Sequence, residues 1–227
     1  MLRRTLAARE ELLERYNFLD EVQILVVDDG SPDGTSDLVK SLHLANVDIL
    51  DRAGKDGLGP AYIAAFRHGL ARGFTHFVEM DADASHQPEE LHRLINEIPH
   101  GDLILGTRWM SGGKVVNWPL HRRVLSLLGT KYAAFGLGLP YKDLTGGYRI
   151  LSRNLLEKVD LSTIQTRGYG FQIEMVMRAE KLNLRIIQVP ITFIDRTLGS
   201  SKMNSRIAIE AIGQISKWSV KRISRPS

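Results

Sequence analysis

Asp81 and Asp83 stand one residue apart, where the largely apolar run Phe77-Val78-Glu79-Met80, broken only by Glu79, gives way to the polar turn Ala84-Ser85-His86-Gln87. Two carboxylates this close at the end of a buried strand oppose each other's ionisation, and burial opposes it further. A divalent cation shared with a phosphate removes both penalties. Mg²⁺ suits such a place because it keeps few protein ligands and completes its shell with substrate phosphate oxygens. The competing reading makes the pair turn residues that cap the helix beginning near Pro88. The motif alone leaves these two readings level.

Other charged residues shift the balance. Val22-Gln23-Ile24-Leu25-Val26-Val27 is a nearly continuous apolar strand that ends in Asp28-Asp29 and a Gly-Pro turn. Leu103-Ile104-Leu105-Gly106-Thr107 is another, and it ends in Arg108. Strand patterns alternate with helical ones at 36–41, 61–71 and 89–98, which predicts an α/β fold with a mostly parallel sheet. Ligands of such sheets bind beyond the carboxyl ends of the strands. Asp29, Asp81, Asp83 and Arg108 all fall at such ends. Capping alone does not account for four charges there, so a metal–phosphate site becomes the better reading. Lys55-Asp56-Gly57-Leu58-Gly59-Pro60 lacks the spacing of a nucleotide-binding P-loop and reads as an ordinary turn. Near the end of the chain, Arg196 and Lys202 flank a Gly-Ser segment suited to closing over an anion.

The chain has 227 residues, of which 43% are hydrophobic and 25% charged. This suits one globular domain spanning 1–227. With no cysteine, disulfides, thiolate metal sites and a Cys nucleophile are excluded. A net charge of +4 favours anionic partners, but no zinc or RNP-like signature points to nucleic acid. Residues 114–141 change character: Trp118 and His121-Arg122-Arg123 precede an apolar stretch interrupted by Lys131. Cations beside aromatic and apolar residues suit a surface that meets lipid headgroups. The alternative is a long helix with a solvated basic end. No run reaches the roughly 20 apolar residues needed to span a bilayer.

In order along the chain, Val27-Asp28-Asp29-Gly30-Ser31-Pro32-Asp33-Gly34-Thr35, Met80-Asp81-Ala82-Asp83-Ala84-Ser85-His86 and Gly106-Thr107-Arg108 are followed by three more segments. These are Asp143-Leu144-Thr145-Gly146-Gly147-Tyr148-Arg149, Gly168-Tyr169-Gly170-Phe171-Gln172-Ile173-Glu174, and Asp195-Arg196 with Gly199-Ser200-Ser201-Lys202. The ordered set resembles the dolichol-phosphate (polyprenol-phosphate) mannosyltransferases, which are family 2 glycosyltransferases with a GT-A fold.

The resemblance implies transfer of mannose, with inversion, from GDP-mannose to a polyprenyl monophosphate, using Mg²⁺ or Mn²⁺, at the cytoplasmic face of a membrane. It implies that Val27 and Asp29 hold the nucleoside, and that Asp81, Ala82 and Asp83 hold the donor diphosphate. Asp81, Asp83 and Ser85 would be the metal side. Arg108, Arg196 and Lys202 would clamp the phosphates, with Asp83 and Arg108 carrying the catalysis. Arg122 and Ser126 would meet the acceptor phosphate. A membrane-anchoring partner protein fits the same picture. Alternatives are another donor such as UDP-glucose, an idle scaffold that keeps the binding surfaces, or a nucleotidyltransferase on a similar sheet. The family pattern begins with a strand ending in a Pro-x-Tyr-Asn-Glu-like segment at the nucleobase. Here the sequence starts with the helix that should follow it, so that strand is expected to be missing.

Overall fold

The structure, a computed structural model, describes residues 1–166, 168–196 and 212–220. Its centre is a four-stranded sheet in the order β3 (His76–Glu79), β6 (Arg149–Ser152), β4 (Leu103–Thr107), β7 (Ile186–Pro190). β4 and β7 are parallel, whereas β6 runs antiparallel to both β3 and β4. β3, β4 and β7 therefore point the same way, and their carboxyl ends share one edge. Two parallel pairs accompany this sheet: β1 (Ile24–Asp28) with β2 (Val47–Asp51), and β5 (Lys114–Val116) with β8 (Thr192–Ile194). The mostly parallel α/β architecture is as the alternation of elements predicts, with β6 as the antiparallel exception.

Alternation along β4 and β6 loads both faces of the sheet. Leu103, Leu105 and Leu151 point into one core, which they share with Phe66 of α3 (Leu58–Ala71), Ala133 and Leu137 of α5 (Leu120–Leu137), Leu155 of α6 (Arg153–Lys158) and Val176 of α7 (Tyr169–Lys181). Ile104, Ile150 and Val189 point into the other, against Leu12 of α1 (Leu2–Arg15) and Leu94 of α4 (Leu91–Ile95). Helix therefore covers sheet on both sides. Pro190 ends β7, an edge strand, where its missing N–H costs no ladder bond. β4 and β6 approach so closely at Gly106 that a Cβ there would lie 2.7 Å from the Tyr148 carbonyl oxygen.

β1 is hydrogen-bonded only to β2, and β3 only to β6, among the described residues. The apolar side chains of β1 and β2 are consequently half-buried, not enclosed as a strand covered on both faces would be. α2 (Thr35–Ser41) covers β2 without burying any of its own residues.

α5 is amphipathic. Thr130, Ala133 and Leu137 face the core, while Leu120, Val124, Leu125, Leu128, Tyr132 and Phe135 are exposed, Phe135 to 90%. No helix among the described residues is long and apolar enough to cross a membrane.

Candidate functional site

β3 delivers the acidic pair to the sheet edge. The turn after it reverses sharply: Ala84 adopts φ +65°, a conformation that residues with a Cβ seldom accept. The Asp83 carboxylate accepts a 3.0 Å hydrogen bond from the Ser85 amide, which closes the turn. The Asp81 amide donates to His86 Nδ1 at 3.0 Å, so that ring nitrogen is an unprotonated acceptor. His86 is buried, and burial, only partly opposed by the Asp81 charge, lowers its pKa and keeps it neutral. Its ring stacks on Tyr148 and meets Phe193 edge-on. A packed aromatic floor therefore supports the turn from beneath.

Above the floor, Asp81 and Asp83 remain reachable, with side chains 39% and 25% exposed. Asp83 is paired with Arg196 at 3.1 Å. Burial raises the pKa of Asp83, but Ser85 and Arg196 together outweigh it and hold the carboxyl below its ordinary value. Ser85 Oγ is buried close enough to Asp83 to contribute, yet it forms no well-directed hydrogen bond. The Asp81 and Asp83 carboxylates and the buried Ser85 hydroxyl form a hard-oxygen set that fits Mg²⁺ or Mn²⁺, and the Arg196 cation already lies against Asp83. Among the described residues, no three His, Asp or Glu side chains group closely enough to hold a metal themselves. An ion here would depend on oxygens supplied by a substrate.

β8 links this turn to α5. The Ile194 amide donates to the Ser85 carbonyl and the Asp195 amide to the Val116 carbonyl, each at 3.0 Å. Asp195 then accepts a 2.7 Å hydrogen bond from Arg122 in the first turns of α5. The Arg122 guanidinium lies 4.2 Å from the Trp118 ring centroid, and Trp118 meets Phe193 edge-on. The expectation that Trp118 reaches a bilayer surface is therefore corrected. It is 7% exposed, because its ring fills the space between Arg122, Arg108 and Phe193. Ser126, one turn beyond Arg122, is half-buried on the same side of the helix.

Arg108, at the end of β4, is held by the loop that follows α5. Its Nε and one Nη bind the Asp143 carboxylate at 2.7 and 2.8 Å, and the Arg108 amide donates to the same group. The guanidinium also reaches Thr145 Oγ1 at 3.2 Å and packs over Phe193. This fork on a fully buried carboxylate braces the 143–145 loop under the site. Burial opposes ionisation of Asp143, yet the Arg108 charge overcomes it and keeps the pKa low.

The structure thus brings Asp81, Asp83, Ser85, Arg196 and Arg122 into one connected cluster through Asp195. Ala82 lies between the two carboxylates, and Lys202 falls outside the described residues. Asp29 follows the carboxyl end of β1 and is paired with Arg52; it makes no hydrogen bond or ion pair to Asp81 or Asp83. Val27, in β1, is half-buried opposite Leu50 of β2.

Several residues of the site went without a role at the sequence level. Asp143 and Asp195 lie inside segments that the resemblance quotes, so their signal was present. Arg52, which pairs with Asp29, had no signal beyond its charge.

Comparison with known proteins agrees with the geometry. The sequence profile described as glycosyl transferase family 2 matches residues 1–160. The chain is 48% identical over 200 residues to the undecaprenyl-phosphate mannosyltransferase of Micrococcus luteus, covering 87% of this chain and 82% of that protein. It is 47% identical over 205 residues to the polyprenol monophosphomannose synthase of Mycolicibacterium smegmatis, covering 88% and 77%. Among solved structures, glucosyl-3-phosphoglycerate synthase from Mycobacterium tuberculosis, in complex with Mn²⁺, uridine-diphosphate-glucose and phosphoglyceric acid, superposes with a TM-score of 0.64. That match has 17% identity and covers 99% of this chain and 76% of the other, and it establishes a shared fold.

Proposed function

Since the chain belongs to glycosyl transferase family 2 and is a glycosyltransferase, we propose that it transfers mannose from GDP-mannose to a polyprenyl monophosphate, with inversion and with the aid of Mg²⁺ or Mn²⁺. One observation carries the reading. The Asp195–Arg196 pair joins an acidic, metal-competent turn to the basic head of a helix whose outer face is apolar. A nucleotide-sugar site thereby adjoins an anion site at a surface suited to lipid. The names of the two bacterial relatives support the same acceptor class and sugar.

The reaction follows from these positions. An oxygen of the acceptor phosphate attacks the anomeric carbon, the bond from that carbon to the diphosphate breaks, and GDP leaves on the opposite side. A phosphate monoester with a second pKa of about 6 is already largely dianionic at neutral pH. No general base is needed, and the buried neutral His86 has no proton to take. The catalytic burden is stabilisation of the departing diphosphate and alignment of the two reactants. Asp81, Asp83 and Ser85 would hold the metal, which supplies charge to the diphosphate oxygens. Arg196 lies beside Asp83, within reach of the same phosphates, and Lys202 is assigned to the clamp by resemblance. Arg122, with Ser126 one turn on, orients the acceptor phosphate. Asp29 and Val27 serve the nucleoside. Arg108 acts from beneath by fixing the 143–145 loop.

The exposed apolar stripe of α5, with Arg123 and Lys131 beside it, supports a peripheral seat on a membrane. Basic side chains near anionic lipid contribute about 1 kcal/mol each, so attachment is salt-sensitive. The decisive experiment offers labelled GDP-mannose and UDP-glucose in turn to liposomes containing polyprenyl phosphate, with Mn²⁺ or with chelator. The expected outcome is mannosyl-lipid from GDP-mannose, lost on chelation. Glucosyl-lipid from UDP-glucose would reassign the donor, and no glycolipid from either would favour the idle-scaffold reading.

A further inference from the structure

Asp195 and Arg196 are consecutive, and each occupies a position that the proposed chemistry assigns to a ligand. Arg196 places a cation 3.1 Å from Asp83 Oδ2, on the carboxylate proposed to bind the metal. Asp195 places a carboxylate 2.7 Å from Arg122 Nη1, on the guanidinium proposed to bind the acceptor phosphate. The two side chains are therefore charge mimics of the two ligands: a cation where a cation would go, and an oxyanion where an oxyanion would go. Both mimics sit on one short stretch of backbone, which Ile194 and Asp195 hydrogen-bond to Ser85 on one side and Val116 on the other.

We propose that Asp195 and Arg196 are internal surrogates for the acceptor phosphate and the metal, and that their adjacency couples the two binding events. This proposal rests on the acceptor assignment of Arg122 made above. The coupling is a matter of tethering. While Arg196 is held at Asp83, its neighbour Asp195 is held close to Arg122, and its carboxylate competes there at a high effective concentration. With the Asp83 carboxylate committed to a divalent cation, Arg196 would lose its partner and be repelled from it. Arg196 is then released toward the donor diphosphate, the tether loosens, and Asp195 competes less well with an incoming phosphate. Donor and metal thus prepare the acceptor site. By reciprocity the acceptor phosphate raises metal affinity by the same factor. Asp195 is a positioning and ordering residue, not a catalytic one, since it acts by occupying Arg122.

The same coupling excludes premature capture of stray anions. A weakly charged ligand must displace a carboxylate already paired with Arg122, whose guanidinium lies over the Trp118 ring. A dianionic phosphate competes better, and it does so best once Arg196 has moved.

The test is calorimetric binding of geranyl phosphate, a soluble short-chain prenyl phosphate, with and without GDP plus Mn²⁺. Inorganic phosphate serves as the charge-only comparison. In the wild-type protein, GDP plus Mn²⁺ should tighten geranyl phosphate binding by about fivefold or more, the lower end of ordinary coupling between sites. In Asp195→Asn, binding without metal should already be tight, and the gain from metal should shrink toward one. Asp195→Ser should behave alike and guards against a folding defect in either variant. Direct attraction between Mn²⁺ and the phosphate would survive both substitutions, so an undiminished gain in them overturns the surrogate mechanism, as does no gain in the wild type. Arg122→Lys separates this from failure of the underlying assignment. If that variant binds geranyl phosphate as well as the wild type, the acceptor site itself is misplaced. If it binds weakly while the Asp195 variants match the wild type, only the coupling falls.

Discussion

Asp83 is the residue on which the site's electrostatics converge, because the Ser85 amide and Arg196 both act on it. Its carboxyl is held below the ordinary range, so it is ionised and ready for a cation at neutral pH. Asp83→Ala should abolish the difference between GDP affinities measured in Mn²⁺ and in chelator. It should also slow mannosyl transfer by an amount equivalent to several kcal/mol of lost charge stabilisation. Titration of GDP under the two conditions checks the first part, and a retained metal effect would remove Asp83 from the donor site. Asp143 presents the contrasting case of a carboxylate used for structure. Asp143→Asn keeps the size of the side chain but leaves the Arg108 charge buried without its counter-ion. Breaking such a pair costs about 3–5 kcal/mol, which urea denaturation would register as a large fall in midpoint. The acidic pair was legible in the sequence because its spacing and its place after an apolar run have few explanations. The task of Arg108 was not, because a strand end says where a cation begins and not which partner, 35 residues on, will claim it.

Among the elements, α5 carries two jobs on opposite faces. Its inner side fixes the helix to the core through Ala133 and Leu137, and its outer side leaves Leu120, Leu128 and Phe135 in solvent. A double change, Leu128→Ser with Phe135→Ser, removes exposed apolar surface without touching the packed face. It should leave thermal stability within about 0.5 kcal/mol, as surface changes usually do. It should reduce co-sedimentation with anionic liposomes severalfold, and raising the salt should weaken the residual binding further. Undiminished liposome binding would mean that the stripe does not meet lipid. The amphipathic character of this helix was visible in the alternation of basic and apolar residues. The burial of Trp118 was not, since it depends on Phe193 and Arg108 arriving from β8 and β4. Helix periodicity carries no information about strands that pack across the helix's entrance.

At the scale of the whole molecule, the antiparallel insertion of β6 between β3 and β4 decides which charges share the interior. It places Arg149 directly across from Glu79. No strand pattern in the sequence discloses that register, so neither residue could be assigned beforehand, although both lie in otherwise readable segments. Arg149 donates to the carbonyls of Leu144, Gly146 and Gln172, each at 2.7 Å, and so binds the 144–147 loop to α7. Gln172 in turn donates to Glu79 at 2.7 Å. Full burial raises the pKa of Glu79 to about 7, against the opposing influence of Arg149 and Gln172. The folded protein therefore keeps this proton in a pH range where the unfolded chain, with an ordinary value of 4.5, has released it. Where the folded state binds more protons, stability falls as pH rises. The contribution is fully present below about pH 4.5, declines up to about pH 7, and is constant above. A shift of that size corresponds to roughly 3 kcal/mol across the window. His86 has the opposite sign, because its lowered pKa makes the unfolded chain the better proton acceptor below the ordinary imidazole value. A single stability profile would mix the two. Glu79→Gln separates them, since it retains an acceptor oxygen near Gln172 and removes only the titrating proton. Urea unfolding of both proteins between pH 5 and 8 should show the wild type losing stability relative to Glu79→Gln, with the difference levelling off above pH 7. Parallel profiles would mean that Glu79 is ionised throughout and that Arg149 holds it as a salt bridge.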